Sequence, residues 1–434
     1  MGKDEEPGTW PHQKLLRSWP LLLILILSLT LRLCLAPMRG HIHDITQLKA
    51  WVQAAVEGNP LTIYSTSSAN YPPLALLPLA TMGLIWRLFS PEFDLASDSL
   101  TALIKLPAIL ADLATAVLIY HLVRRRHSEK LAALSVAAYA FNPAVWYTSA
   151  WWGQLEALYT LPMLLAVSAM AEAQPGRAWA WLAVGVLVKP HAAVIAPVLA
   201  LASWRLGGWR TLARGCLGVG LVLALALTPL AWAGELPALW AQLRASAGRQ
   251  LFMTMNAHNL WYLLTLGRGS FAARGGDPLY DTQPLLGTLN GWEIGLALLG
   301  AWCIFVCWSL WRAGGRRTCA SSLLLAAAAL VTGFFMLPAE SHERYLFPAL
   351  ALLAPLLPQP NAARWLYLGL SLSLFLNLLW VDPAVPLPDY AEQLVWGVPV
   401  ALANTLLLGL CAWILGAHRR SFKSPDPLSA SPHA

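Results

Sequence analysis

Charge is scarce in this 434-residue chain. Asp, Glu, Lys and Arg make up 12% of it, whereas 57% is hydrophobic and mean hydropathy is +0.55. A soluble globular domain carries about 25% charged residues, so the shortage excludes a separate large soluble domain and reads as a membrane protein from end to end. Cysteine is sparse and scattered: Cys34, Cys216, Cys303, Cys307, Cys319 and Cys411 fall mostly inside apolar runs. Cys303 and Cys307 share a helix face, but no second ligand pair accompanies them, so they read as small buried hydrophobes. No Asn-x-Ser/Thr sequon occurs. The first apolar stretch, Trp19 to Ala36, lacks an A-x-A cleavage site and is longer than a signal-peptide core, which predicts an uncleaved first span.

Apolar runs near 20 residues predict about twelve spans, oriented by basic loops. They fall near 19–36, 100–122, 131–149, 153–171, 178–188, 190–203, 215–233, 291–311, 319–337, 345–358, 364–381 and 394–416. This arrangement puts Lys14, Arg17, Arg124–Arg126, Arg177, Arg205, Arg210, Arg214, Arg312, Arg316, Arg317, Arg364, Arg419 and Arg420 on the cytoplasmic side. Residues 71–90 start Tyr71-Pro72-Pro73 and contain Pro78 and Arg87. They read as a re-entrant or interfacial helix, because a further crossing would put the triple arginine outside. The two runs flanking Lys189-Pro190 are each shorter than a bilayer, which predicts a hairpin. The organisation is thus a cytoplasmic N-terminus (1–17), a membrane domain (18–416) and a disordered cytoplasmic tail (417–434). The fold class is all-α, a polytopic helical bundle. The net charge of +7 belongs to the inner loops, so no nucleic-acid partner is expected.

The outer side differs. It carries Asp44, Glu57, Glu156, Glu235, Asp277, Asp281, Glu340, Glu343 and Arg344. Two amphipathic stripes, Leu48-Trp51-Val52-Ala55-Val56 and Leu236-Leu239-Trp240-Leu243, suit helices lying in the interface. Four segments there combine polar and charged side chains. Asp44, in Gly40-His41-Ile42-His43-Asp44, is either a helix cap (Asp44-Ile45-Thr46-Gln47 fits a capping box) or a base, and the two are compatible. Trp151-Trp152-Gly153-Gln154-Leu155-Glu156 supplies a second carboxylate. Lys189 interrupts an apolar run and needs an anionic partner, a ligand phosphate or a carboxylate. Ser341-His342-Glu343-Arg344-Tyr345 offers a planar donor fork suited to phosphate. Asn256, His258 and Arg249 add polar groups to the same side. His41, His43, His258 and His342 have unlike spacings, which argues against a metal site.

The order Asp44, Tyr71-Pro72-Pro73, Asn142-Pro143, Trp152-Gly153-Gln154, Lys189-Pro190 and His342-Glu343-Arg344-Tyr345 resembles the GT-C superfamily of integral-membrane glycosyltransferases. It is closest to prokaryotic proteins related to the GPI-anchor mannosyltransferases, and the resemblance spans roughly residues 18 to 381. It implies that Asp44 is the catalytic base and that the donor is a polyprenyl-phosphate sugar. The family commonly has Asp soon after Trp-Gly-Gln, where this chain has Glu156.

By this reading Lys189, Arg344 and His342 hold the donor phosphate, and Tyr71, Trp152, Gln154, Asn256, His258 and Arg249 line the substrate pocket. Asp44 takes the proton of an acceptor hydroxyl, and direct displacement inverts the anomeric carbon. The acceptor is a glycan, lipid or protein on the extracytoplasmic face, and mannose is implied by analogy alone. No metal ligands are assigned, although a divalent cation bridging Asp44, Glu156 and the phosphate stays open. A secondary transporter or flippase of lipid-linked sugars is the alternative, but such proteins show repeated halves. Here the long outer loops 37–99 and 234–290 have no inner counterparts.

Overall fold

The computed structural model describes residues 18–246, 250–271, 279–314, 318–359, 362–382 and 390–417. Arg249, Asp277, Arg316, Arg317, the N-terminal 1–17 and the tail beyond 417 lie outside the described residues. The chain folds as α1 (Trp19–Leu35), α2 (Ile42–Glu57), α3 (Pro73–Phe89), α4 (Asp98–Arg124), α5 (Glu129–Ala140), α6 (Glu156–Ala171), α7 (Pro175–Val188) and α8 (Ala196–Gly207). It continues with α9 (Trp209–Trp232), α10 (Leu236–Ser246), α11 (Gly291–Arg312), α12 (Ala320–Met336), α13 (Phe347–Leu353), α14 (Ala363–Val381) and α15 (Tyr390–Ala417). A short hairpin, Pro284–Leu286 with Leu289–Asn290, is the one sheet among the described residues.

An α-helix rises 1.5 Å per residue, so the 27 residues of α4 reach about 40 Å and exceed the roughly 30 Å hydrocarbon layer. Five helices are long and apolar enough to cross a membrane: α4, α9, α11, α14 and residues Val395–Ala417 of α15. Six further apolar helices, including α1, α6, α7 and α12, have only 10–17 residues. The expected set of about twelve spans is therefore not a set of twelve full-length helices. Several apolar runs are cut by proline or by a change of helix type. The run 131–149 ends as α-helix at Ala140, and 190–203 begins with a 3₁₀ stretch, Pro190–Ile195. The helix breaks at Lys189-Pro190, where the backbone of Lys189 is extended.

α12 is the interior of the bundle, buried without interruption from Ser321 to Gly333, as a helix apolar on every side must be. α9 is the opposite case, and Leu217, Leu221 and Leu225 point outward. Its inner face touches α7 so closely that a Cβ on Gly218 would collide with the Gly176 carbonyl oxygen. Such small residues let apolar helices approach.

The first stripe behaves as its spacing predicts. Leu48, Trp51, Val52, Ala55 and Val56 are all buried on α2, together with Ile45 and Lys49. α2 rests on α3, where a Cβ at Gly83 would collide with Val52 Cγ1 and lie 2.7 Å from Val56 Cγ2. The second stripe is weaker, because on α10 Leu239 is buried while Trp240 is exposed. α1 is fixed by charge inside apolar surroundings: Arg32 reaches Asp112 of α4 at 3.5 Å and donates to the Ala140 carbonyl at 2.8 Å. Asp112 also accepts from Tyr139 and Ser149, the compensation that a buried pair requires.

Candidate active site

α5 stops because Asn142-Pro143 cannot continue it. The Asn142 side chain accepts from the Ala144 N–H, while its amide donates to Tyr367 and Ser371 of α14 at 2.9 and 2.8 Å. A wide turn follows over Tyr147–Trp152 and ends at Gly153 with φ +89°. That left-handed value favours glycine, and a Cβ there would also meet Ile45 Cδ1 at 2.5 Å. The turn delivers Trp152 and Gln154 to Asp44.

Asp44 is not the cap of its helix. α2 begins at Ile42 with His41 as the N-cap residue, which makes no side-chain cap bond, and Asp44 sits in the first turn. Its carboxylate turns away from its own backbone. Oδ2 accepts the Trp152 indole N–H at 2.7 Å and the Gln154 amide at 2.5 Å. His41 Nδ1 lies 3.2 Å from the same oxygen, and the His41 ring stacks on Trp152 with centroids 4.6 Å apart. Burial alone would push this carboxyl up. His41, the Arg344 charge and the Trp152 hydrogen bond instead hold it well below the usual carboxylate range.

Asp44 opens onto a cavity of about 370 Å³ lined by His41, His43, Trp152, Met255, Asn256, Phe271, His342, Glu343, Arg344 and Val381. Arg344 comes from the loop between α12 and α13. It pairs with Glu343 and also lies 3.3 Å from Glu156. Burial would raise the Glu343 carboxyl, but the Arg344 charge brings it down to about 2. Burial, with the Arg344 charge, lowers His342. The His342 loop is tied to the loop carrying Asn256 by bridges of Met255 and Asn256 to His342. Asn256 itself adopts φ +67°, and its side chain accepts from Ser270 at 3.0 Å.

The structure thus brings Asp44, Trp152, Asn256, His342 and Arg344 to one cavity, and Gln154 reaches it through Asp44. Lys189, Glu156, Tyr71 and His258 are not among the lining residues. Lys189 is 5% exposed, and its ammonium is paired with the fully buried Glu156 carboxylate inside a ring of Tyr71, Tyr159 and Tyr345. Of the two partners open for this cation, a phosphate or a carboxylate, the carboxylate is the one in place. Glu156 consequently faces Lys189 and Arg344 rather than the cavity. His258 packs edge-on against Tyr262 and Trp380, and burial holds it down at about 3. No group of three or more His, Cys, Asp or Glu among the described residues is arranged to hold a metal ion.

Sequence reasoning gave no role to Phe271, Met255 or Val381, whose apolar side chains carry no local signal. It left Glu343 without a role in the pocket, although its place beside Arg344 was a usable hint.

The family model described as dolichyl-phosphate-mannose-protein mannosyltransferase matches residues 93–232. No curated protein matches the chain. Among solved structures, apo ArnT from Cupriavidus metallidurans is similar with a TM-score of 0.52 and 17% identity, covering 93% of this chain and 75% of that one. The undecaprenyl-phosphate-bound form of that protein aligns with a TM-score of 0.48 and 16% identity over the same shares. The apo oligosaccharyltransferase of Archaeoglobus fulgidus aligns at 0.44 and 14%, over 95% of this chain and 57% of that one. The chain is an integral membrane protein and shares the helical fold of ArnT.

Proposed function

We propose that this GT-C-fold membrane protein is a glycosyltransferase. It would move a hexose from a polyprenyl-phosphate donor to an acceptor hydroxyl on the extracytoplasmic face, with Asp44 as general base. The observation that carries the reading is the presence at one cavity of Asp44, kept anionic, and Arg344, of opposite charge. The dolichyl-phosphate-mannose description of the family model agrees with the donor class. Mannose is the sugar we propose, by that analogy.

The acceptor oxygen attacks the anomeric carbon as its proton passes to Asp44. The bond from that carbon to the phosphate oxygen breaks, and its electron pair stays on the phosphate. Displacement from the opposite face inverts the anomeric centre. Charge grows on the leaving phosphate, where a preorganised guanidinium is worth most. Arg344 supplies it, and His342 adds a donor beside it. Glu156 and Lys189 act one layer back, by holding Arg344 in place.

The test uses the full chain in membrane vesicles with polyprenyl-phosphate mannose and a panel of acceptors. Asp44→Asn should lower turnover by about 10²–10⁴-fold while retention of undecaprenyl phosphate stays near wild type. Unchanged turnover would remove the base. Translocation of the lipid-linked sugar without bond formation would favour a transporter instead.

A further inference from the structure

Lys105, in the first third of α4, is 0% exposed. Among the described residues its ammonium meets no carboxylate. It donates to three backbone carbonyls: Met38 at 2.8 Å, Ala150 at 3.1 Å and Trp151 at 2.8 Å. An ammonium has three donors, so these acceptors use them all. Burying such a group is costly unless it is hydrogen-bonded, and here the hydrogen bonds are to backbone. The three acceptors come from two separate segments. Met38 precedes Asp44 in the loop after α1, and Ala150 and Trp151 belong to the turn that presents Trp152 and Gln154.

Further contacts join the same two segments. The His41 N–H donates to the Trp152 carbonyl at 3.2 Å. Gly40, with φ +65°, lies so close that a Cβ would come within 2.7 Å of both the Trp151 and Trp152 carbonyl oxygens. At Gly153 a Cβ would fall 2.9 Å from Lys105 Cε. The lysine stem therefore runs directly under the residue between Trp152 and Gln154.

We infer that Lys105 is a positioning residue: it clamps the 38–44 loop onto the 147–154 turn and so sets Asp44 Oδ2 against Trp152 and Gln154. It touches neither the cavity nor any reacting atom. The catalytic side of this inference rests on the reading of Asp44 as base. The clamp itself is a statement about backbone and does not depend on that reading.

The experiment compares wild type, Lys105→Met and Gly153→Ala in the full-length protein. The first variant keeps the stem and removes the donors, while the added methyl of Gly153→Ala leaves the donors and strains the turn itself, pressing on Ile45 Cδ1 and on the stem. Amide hydrogen exchange should quicken in residues 38–46 and 147–154 of both variants, with α12 and α13 unchanged. Transfer should lose about ten-fold in kcat, with donor KM altered less than about two-fold, as expected for misplacement of a reacting group. Wild-type exchange in the two segments overturns the clamp, and so does faster exchange spread evenly over the bundle. A wild-type kcat in Lys105→Met overturns the catalytic consequence. If Asp44→Asn in the same assay is fully active, it is the proposed function that fails, and the exchange arm still decides the clamp.

Discussion

Trp152 and Gln154 donate to the same oxygen of Asp44, Oδ2, at 2.7 and 2.5 Å. Two donors on one side of the carboxylate leave the other oxygen for a proton. They also stabilise the anion, which sets the direction of its pH dependence. The ordinary value of this carboxyl is 3.8, and in the fold it lies lower. Above pH 3.8 the hydrogen bonds contribute fully to stability, and that contribution fades only as pH falls through the depressed value.

Wild-type turnover should accordingly show no loss from Asp44 protonation above about pH 4. Gln154→Leu removes one of the two donors that orient the carboxylate and should lower kcat about ten-fold while the profile above about pH 4 stays flat. A pH–rate series on the two proteins checks this, and a wild-type kcat would refute the role of Gln154.

Lys189 and Glu156 form a buried pair, so removing one partner strands the other. Lys189→Met should destabilise by about 3–5 kcal/mol. Lys189→Met combined with Glu156→Gln should recover most of that loss. Thermal melts of the two single variants and the double in one detergent provide the cycle. An additive result would mean that the pair is not coupled.

Arg344 lies between two carboxylates, Glu343 and Glu156. Lysine keeps the charge but has no planar fork to serve both. Arg344→Lys should therefore fold, with a melting temperature near wild type, and lose about 10–100-fold in kcat/KM for the lipid donor. Wild-type kinetics in that variant would take Arg344 out of the phosphate site.

Gly83→Val tests how α2 is seated. Its Cβ would collide with Val52 Cγ1 and come within 2.7 Å of Val56 Cγ2, so overpacking should cost about 1–3 kcal/mol. Val52→Ala in the same chain should relieve part of it. Chemical denaturation of the three proteins gives the comparison.

Much of this site is legible in the residues, and the parts that are not share a cause. The stripe from Leu48 to Val56 is readable because helical spacing is local, and α2 buries those positions. Asp44, His342 and Arg344 stand out because charge is rare here and its location is costly. The capping-box pattern misleads about Asp44, since Trp152 and Gln154 lie more than a hundred residues away and no local pattern encodes them. The partner of Lys189 is hidden for the same reason. A polar demand is visible in the sequence, but the choice of Glu156 needs the turn between α7 and α8. Phe271 and Val381 gave no signal, because an apolar side chain at a cavity wall looks like any other apolar side chain.

Part of the cavity wall, Met255, Asn256 and Phe271, comes from the long loop between α10 and α11, whereas Asp44, Trp152 and Arg344 are anchored to other parts of the chain. Because Met255 and Asn256 bridge to His342, a change in that loop bears first on the His342–Arg344 side of the wall, while the contacts of Asp44 with Trp152 and Gln154 are made by other segments.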